Sequence, residues 1–209
     1  MKTPKTVKAL EELGRVQLSK SFFMRDFMHS EISQIERIPN IPDNPDLAIE
    51  AGKSLCENVL EPIQDALGRV CIRSAYRSCA VNAKGAENKN QYSCSRNEAN
   101  YAGHIWDMKD ADGFMGATAC IVVTSFLPYY EKTGDWQALA WWIHDNIPAY
   151  SSMYFFPKLA AFNITWHESP VKRIDSYIAP KGCLTKPDMD NHNIDHSALY
   201  KDLIQSIKY

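Results

Sequence analysis

A chain of 209 residues with 45% apolar and 23% charged residues has the length and balance of one soluble globular domain with a sizeable core. Its 23 Lys and Arg against 25 Asp and Glu leave a net charge of −2 with no basic block, which argues against nucleic acid or an anionic membrane as partner. No apolar run is long enough to span a bilayer, and the charged start "MKTPKTVKALEELGRVQLSK" has no apolar signal core, so the expected location is cytoplasmic unless another route such as phage lysis delivers it.

In chain order, a first helix is expected over about residues 5–16, followed by a short apolar helix in "SKSFFMRDFMHSE" with Ser21 as cap. Pro39, Pro42 and Pro45 make "RIPNIPDNPD" a loop. "NPDLAIEAGKSLCENVLEPIQDALG" is the clearest helix. Asn44 can cap it, Pro45 suits its first turn, Gly68 can end it and Pro62 should kink it, while Leu47, Ala51, Leu55, Val59, Ile63 and Leu67 form one buried face. "RVCIRSAYRS" alternates as a strand with Val70 and Ile72 on one face. A polar loop follows, flanked by Cys79 and Cys94, which a reducing compartment would keep as thiols. "GHIWDM" reads as a short strand, "KDADGFM" as a turn and "GATACIVVTSF" as the return strand. A helix capped by Asp135 covers "DWQALAWWIHDNIP", with Trp136, Leu139, Ile143 and Ile147 at helical spacing. "SSMYFFP" and "AAFNITWH" are two more strands, and the last 30 residues are a loop and a short helix. Helices followed by strands give an α+β class, with helices packed on one mostly antiparallel sheet. The expected organisation is a single domain over 1–209, with residues 1–17 as an N-terminal helical extension and 181–209 as a C-terminal one.

Several constellations carry chemistry. Asp110, Asp112 and Gly113 faintly suggest a calcium loop, but the frame would need an acid at Met108 and Glu at Ala119, so a solvated turn is the better reading. On an extended strand His104 and Asp107 point to opposite faces, so one at most faces a given site. His167 lies on another strand. The tail "DMDNHNIDH" carries Asp188, Asp190, His192 and His196; the two His would share a helix face, yet Pro187 and Asn191 favour a loop and a solvated tail. No Cys-x-x-Cys pair, phosphate loop, Gly-x-Ser-x-Gly elbow or Cys-His protease signature occurs, and Trp136, Trp141 and Trp142 read as core.

"LCENVLEPIQDALGRVCIRSAYRSCAVN" resembles the zinc D-alanyl-D-alanine carboxypeptidase-like peptidases, whose fold is shared with Hedgehog signalling domains. The family's Ser-Gly-Tyr-Arg-Ser-x-x-x-Asn segment corresponds to Ser74, Ala75, Tyr76, Arg77, Ser78 and Asn82. The resemblance implies substrate binding by Tyr76, Arg77, Ser78 and Asn82, with the planar Arg fork holding a peptide carboxylate. The family's Ser-x-His-x-x-Gly-x-Ala-x-Asp motif falls on "EANYAGHIWD": Gly103 and Asp107 match, Ile105 replaces the Ala, Asn100 stands at the ligand His and Glu98 at the Ser. The third zinc ligand of the family fits His167, after Trp166. The family's catalytic Glu would fall on Ile164, so Glu98 or Glu168 is left as the candidate base, and a strand bulge would let His104 replace the missing ligand.

The resemblance runs over about residues 18–180 and leaves two readings. One is a zinc metallopeptidase with altered ligands drawn from Asp107, His167, His104 and Asn100, cutting short or cell-wall stem peptides. The other is a pseudoenzyme whose zinc site is impaired or absent and whose cleft binds a peptide or peptidoglycan fragment. On the second, Asp107→Ala should leave thermal stability nearly intact. A plainer alternative has Asp107, His167 and Arg77 hydrogen-bonding one another in a sheet core.

Overall fold

The computed structural model describes residues 1–87 and 91–207. Helix α1 spans Val7–Gly14, with the Thr6 side chain accepting from Ala9 N. A 3₁₀ turn, Met24–Phe27, replaces the short apolar helix. Its start is closed by Asp26 accepting from Phe23 N, and Ser21 is no cap: its backbone N–H and hydroxyl both go to the buried Glu61 carboxylate. Helix α2, Glu31–Glu36, is capped by Ser30 and precedes the proline-rich loop.

The long helix forms as read. Asn44 accepts from Leu47 N, Pro45 opens α3 (Pro45–Leu55), and Gly68 ends α4 (Glu61–Leu67) at a φ of +88°. Between them Cys56–Leu60 widens into a π turn. Pro62 has no N–H to return to the preceding turn, and a wider turn just before it accommodates the missing bond.

Strand β1 is Val70–Ser74, and α5, Cys79–Glu87, occupies the start of what reads as a polar loop; the rest of that loop includes 88–90, outside the described residues. Strand β2 is Gly116–Val123, then come α6 (Leu127–Thr133), α7 (Gln137–Asn146), β3 (Tyr150–Phe155) and β4 (Phe162–His167). Asp135 accepts from Gln137 N and Ala138 N, so it does cap α7. β5 (Arg173–Ser176) follows, and the last 30 residues add β6 (Gly182–Thr185) to the expected loop and helix, α8 (Ser197–Ile207); the last two residues lie outside the described ones.

The sheet has six strands in the order β1-β2-β4-β3-β5-β6, antiparallel except for the parallel β3–β5 pair. The α+β class holds. Alternation along β2 sorts its two faces: Ala117, Ala119, Ile121 and Val123 enter the main core under α3, while Cys120 and Val122 face the other side with Ala161, Cys71 and Phe156. Leu13 of α1 and Leu203 of α8 are fully buried in the main core. Among the described residues no helix is long and apolar enough to cross a membrane.

Candidate functional site

The second face of the sheet floors a cleft of about 690 Å³. Arg73 and Ser74 of β1, Cys120 of β2 and Asn163 of β4 lie on one side; the turn Ala75–Arg77, residues 29–32 and residues 91–95 close it, with Asn100 and His104 at its wall. That volume suits a short peptide or a ligand of similar size.

Residues 76–78 are held by backbone bonds. Tyr76 N donates to Phe27 O (3.1 Å) and Arg77 N to His104 O (2.8 Å). Asn40, which sequence reasoning missed, is the main tie: its amide donates to Met28 O and Tyr76 O, both at 2.9 Å, and its oxygen accepts from Ser78 N at 2.7 Å. Only its place beside Pro39 in a loop hinted at a fixed role. Ser78 and Asn82 brace this turn from behind and do not line the cleft. Ser78 Oγ accepts from Val81 N at the start of α5, and Asn82 donates to Ser95 O and Asn97 Oδ1. Tyr76 is fully buried and turns its hydroxyl to Asp107.

Arg77 reaches into the cleft wall, where its Nη1 donates to Cys94 Sγ at 2.7 Å. Burial lowers its pKa, and Glu31 is a carboxylate that lines the same cleft. Among the described residues this guanidinium's side-chain partner is that thiol, a weak acceptor, and Arg keeps its charge. Cys79 and Cys94 are both free thiols.

"GHIWDM" is not a strand. Gly103 N and Ile105 N both donate to Asn100 O, Ala102 N donates to Met108 O, and Ala102 adopts a φ of +53°. These local bonds coil residues 100–108 into a compact turn, which drives Trp106 into the core against Phe27 and Tyr76. The opposite-face argument for His104 and Asp107 therefore lapses, but the two still diverge. His104 Nδ1 donates to Ala75 O at 2.7 Å, and burial with Arg77 close by pushes its pKa down to about 3, so the ring is neutral with Nε2 as acceptor. Asp107 Oδ2 accepts from Asp43 N (2.7 Å) and Asn44 N (3.4 Å), just ahead of α3, and Oδ1 accepts from Tyr76 Oη (3.2 Å). With its carboxylate so engaged and 2% exposed, Asp107 is a structural tie, which argues against the expectation that Asp107→Ala leaves thermal stability nearly intact.

His167 pairs instead with Asp110 of the DADG turn, Nε2 to Oδ2 at 3.0 Å, while Nδ1 meets the Ser169 backbone. Asp110 also accepts from Asp112 N and Phe114 N, so the turn is an Asx turn that holds a histidine, more than a solvated loop. Asn100 points its amide at Ser95 O and Arg96 O. Glu98 is exposed on a short 3₁₀ turn, and Glu168 is exposed and accepts from Met115 N. Neither lines the cleft. Nor do Asp107, His167 and Arg77 bond one another.

The zinc set implied by the family resemblance does not fit. A zinc ion needs donors that converge, and Asp107, His167, His104 and Asn100 each turn to a different partner. Among the described residues, three His, Cys, Asp or Glu donors come within 4.8 Å of one another elsewhere, at His144, Asp145 and His196. No protein-family model matches the chain, and neither a curated protein nor a solved structure matches it.

Proposed function

We propose that the chain is a peptide-binding module of the D-alanyl-D-alanine carboxypeptidase-like kind that holds a short or cell-wall stem peptide without cutting it. The observation that carries this reading is Arg77, a charged fork in the wall of a peptide-sized cleft whose one side-chain partner among the described residues is a thiol. A ligand carboxylate would take the fork in paired hydrogen bonds and displace Cys94 Sγ. The neutral His104 ring adds no charge to the cleft wall, and Arg73 adds a second positive charge at the exposed edge of β1. The divergence of the zinc donors and the exposure of Glu98 and Glu168 away from the cleft support binding over hydrolysis.

Incubation of the protein with a stem pentapeptide ending in D-alanyl-D-alanine, with zinc added, tests this by mass spectrometry. The peptide is expected to survive intact. Zinc-dependent release of D-alanine would contradict the reading and restore the peptidase with altered ligands.

A further inference from the structure

The tail residues His192 and His196 lie against α7, and neither belongs to a solvated tail: they are 7% and 1% exposed. They are not on a helix either, since α8 begins at Ser197. His196 lies flat on Trp141, with ring centres 3.8 Å apart and planes at 10°. Its Nε2 meets Asn191 O at 2.8 Å and its Nδ1 meets Asp145 Oδ1 at 2.7 Å. Both partners only accept, and a neutral imidazole has a single N–H. His144 approaches the same place from α7. Its Nδ1 is engaged by the Tyr150 hydroxyl, and its Nε2 lies 2.8 Å from His192 O.

We propose that His144, Asp145 and His196 form a site for a zinc-like transition-metal ion that fastens the C-terminal segment to α7. One donor atom from each residue lies within 4.8 Å of the other two. On a tetrahedral zinc, ligand atoms stand roughly 3.4 Å apart and two imidazole centres about 5 Å apart, given metal–nitrogen bonds of about 2 Å. The rings of His144 and His196 are 5.4 Å apart with planes at 80°, near that spacing, and small side-chain rotations that open the 2.7 Å His196–Asp145 contact admit the ion. The far nitrogens are already tied in the manner of metal-bound histidines, His196 Nε2 to a backbone carbonyl and His144 Nδ1 to a hydroxyl. The ion is held by His196 Nδ1, Asp145 and His144, and His192 O or water completes its coordination. Two imidazoles and a carboxylate suit zinc better than a hard cation. The Asp145 side chain, 19% exposed against 1% for His196, is the way in.

The test uses the full chain stripped with chelator. Cobalt(II) titration of the wild type should give the visible absorption of a four-coordinate site at one equivalent, and zinc should raise the melting temperature. Asp145→Asn and His196→Gln should each weaken zinc binding by at least about tenfold, since loss of an outer partner alone has that effect. Arg77→Gln should bind zinc as the wild type does, so failure here and failure of the peptide-binding reading are separate results. If His196→Gln does not fold, the wild-type cobalt spectrum still decides. No cobalt absorption and no zinc-induced shift would overturn the proposal and leave a hydrogen-bonded His196–Asp145 pair. Binding abolished by His167→Gln but kept in Asp145→Asn would also overturn it.

Discussion

At the scale of single residues, burial and partner chemistry decide what each polar group does. His104 is the clearest titration. Its pKa is near 3 in the fold and about 6.5 unfolded, so the unfolded chain binds its proton first. The contribution of His104 to stability is therefore complete above about pH 6.5 and is lost as pH falls toward 3, at up to about 1.4 kcal/mol per pH unit within that window. Urea unfolding from pH 7 to pH 4 should show this loss, and His104→Asn, which keeps a donor for Ala75 O, should flatten it. An unchanged slope in the variant would mean that other groups govern acid unfolding. Asp107→Ala strands Asp43 N and the Tyr76 hydroxyl, and should destabilise by about 2–3 kcal/mol in denaturant titration. Asp107→Asn keeps an acceptor and should fall well short of that. The residues that frame the cleft were only partly legible in sequence. Arg77 stood out by its motif, whereas Asn40 and Cys94 act through contacts 36 and 17 residues away in the chain, which no local pattern encodes.

At the scale of elements, helices with a cap and one apolar stripe were readable, and short pieces set by tertiary contact were not. α3 and α7 follow their Asn44 and Asp135 caps. The stretch 100–108 mimics an alternating strand in sequence, yet its backbone bonds close locally because Trp106 has a fully buried place beneath α3. α5, β5 and β6 are short and weakly patterned, and β5 forms as a parallel partner of β3. The packing of Trp106 makes a sharp prediction for the helix above it. A Cβ at Gly52 would stand 2.9 Å from Trp106 Cζ3 and 3.1 Å from Leu18 Cδ1. Helix propensity alone would favour Gly52→Ala by about 1 kcal/mol, but overpacking should reverse the sign and destabilise by about 1–3 kcal/mol. Thermal unfolding of that variant reads the outcome, and a rise in melting temperature would show that Trp106 yields without cost.

At the scale of the whole molecule, the sheet divides labour between its faces. One carries the main core under α3; the other, with fewer apolar residues, floors the cleft. This follows from period-two alternation in β2 and β4 and a register shift between Ile72 and Ser74 in β1, and it was latent in the sequence as Cys120 and Asn163 standing between apolar neighbours. The C-terminal residues read as an extension in fact continue the sheet through β6 and pack α8 on α7, because the histidines taken for a polar tail meet the end of α7. The cleft is the feature on which the functional reading rests, and Arg77 is its charged centre. Calorimetric titration of the wild type and of Arg77→Gln with the D-alanyl-D-alanine-terminated stem peptide tests that reading most directly. Saturable binding by the wild type is expected, weakened at least tenfold in Arg77→Gln, a difference of about 1.4 kcal/mol or more, and weakened likewise when the peptide's terminal carboxylate is amidated. Equal affinity of the two proteins, or no binding by either, would contradict it.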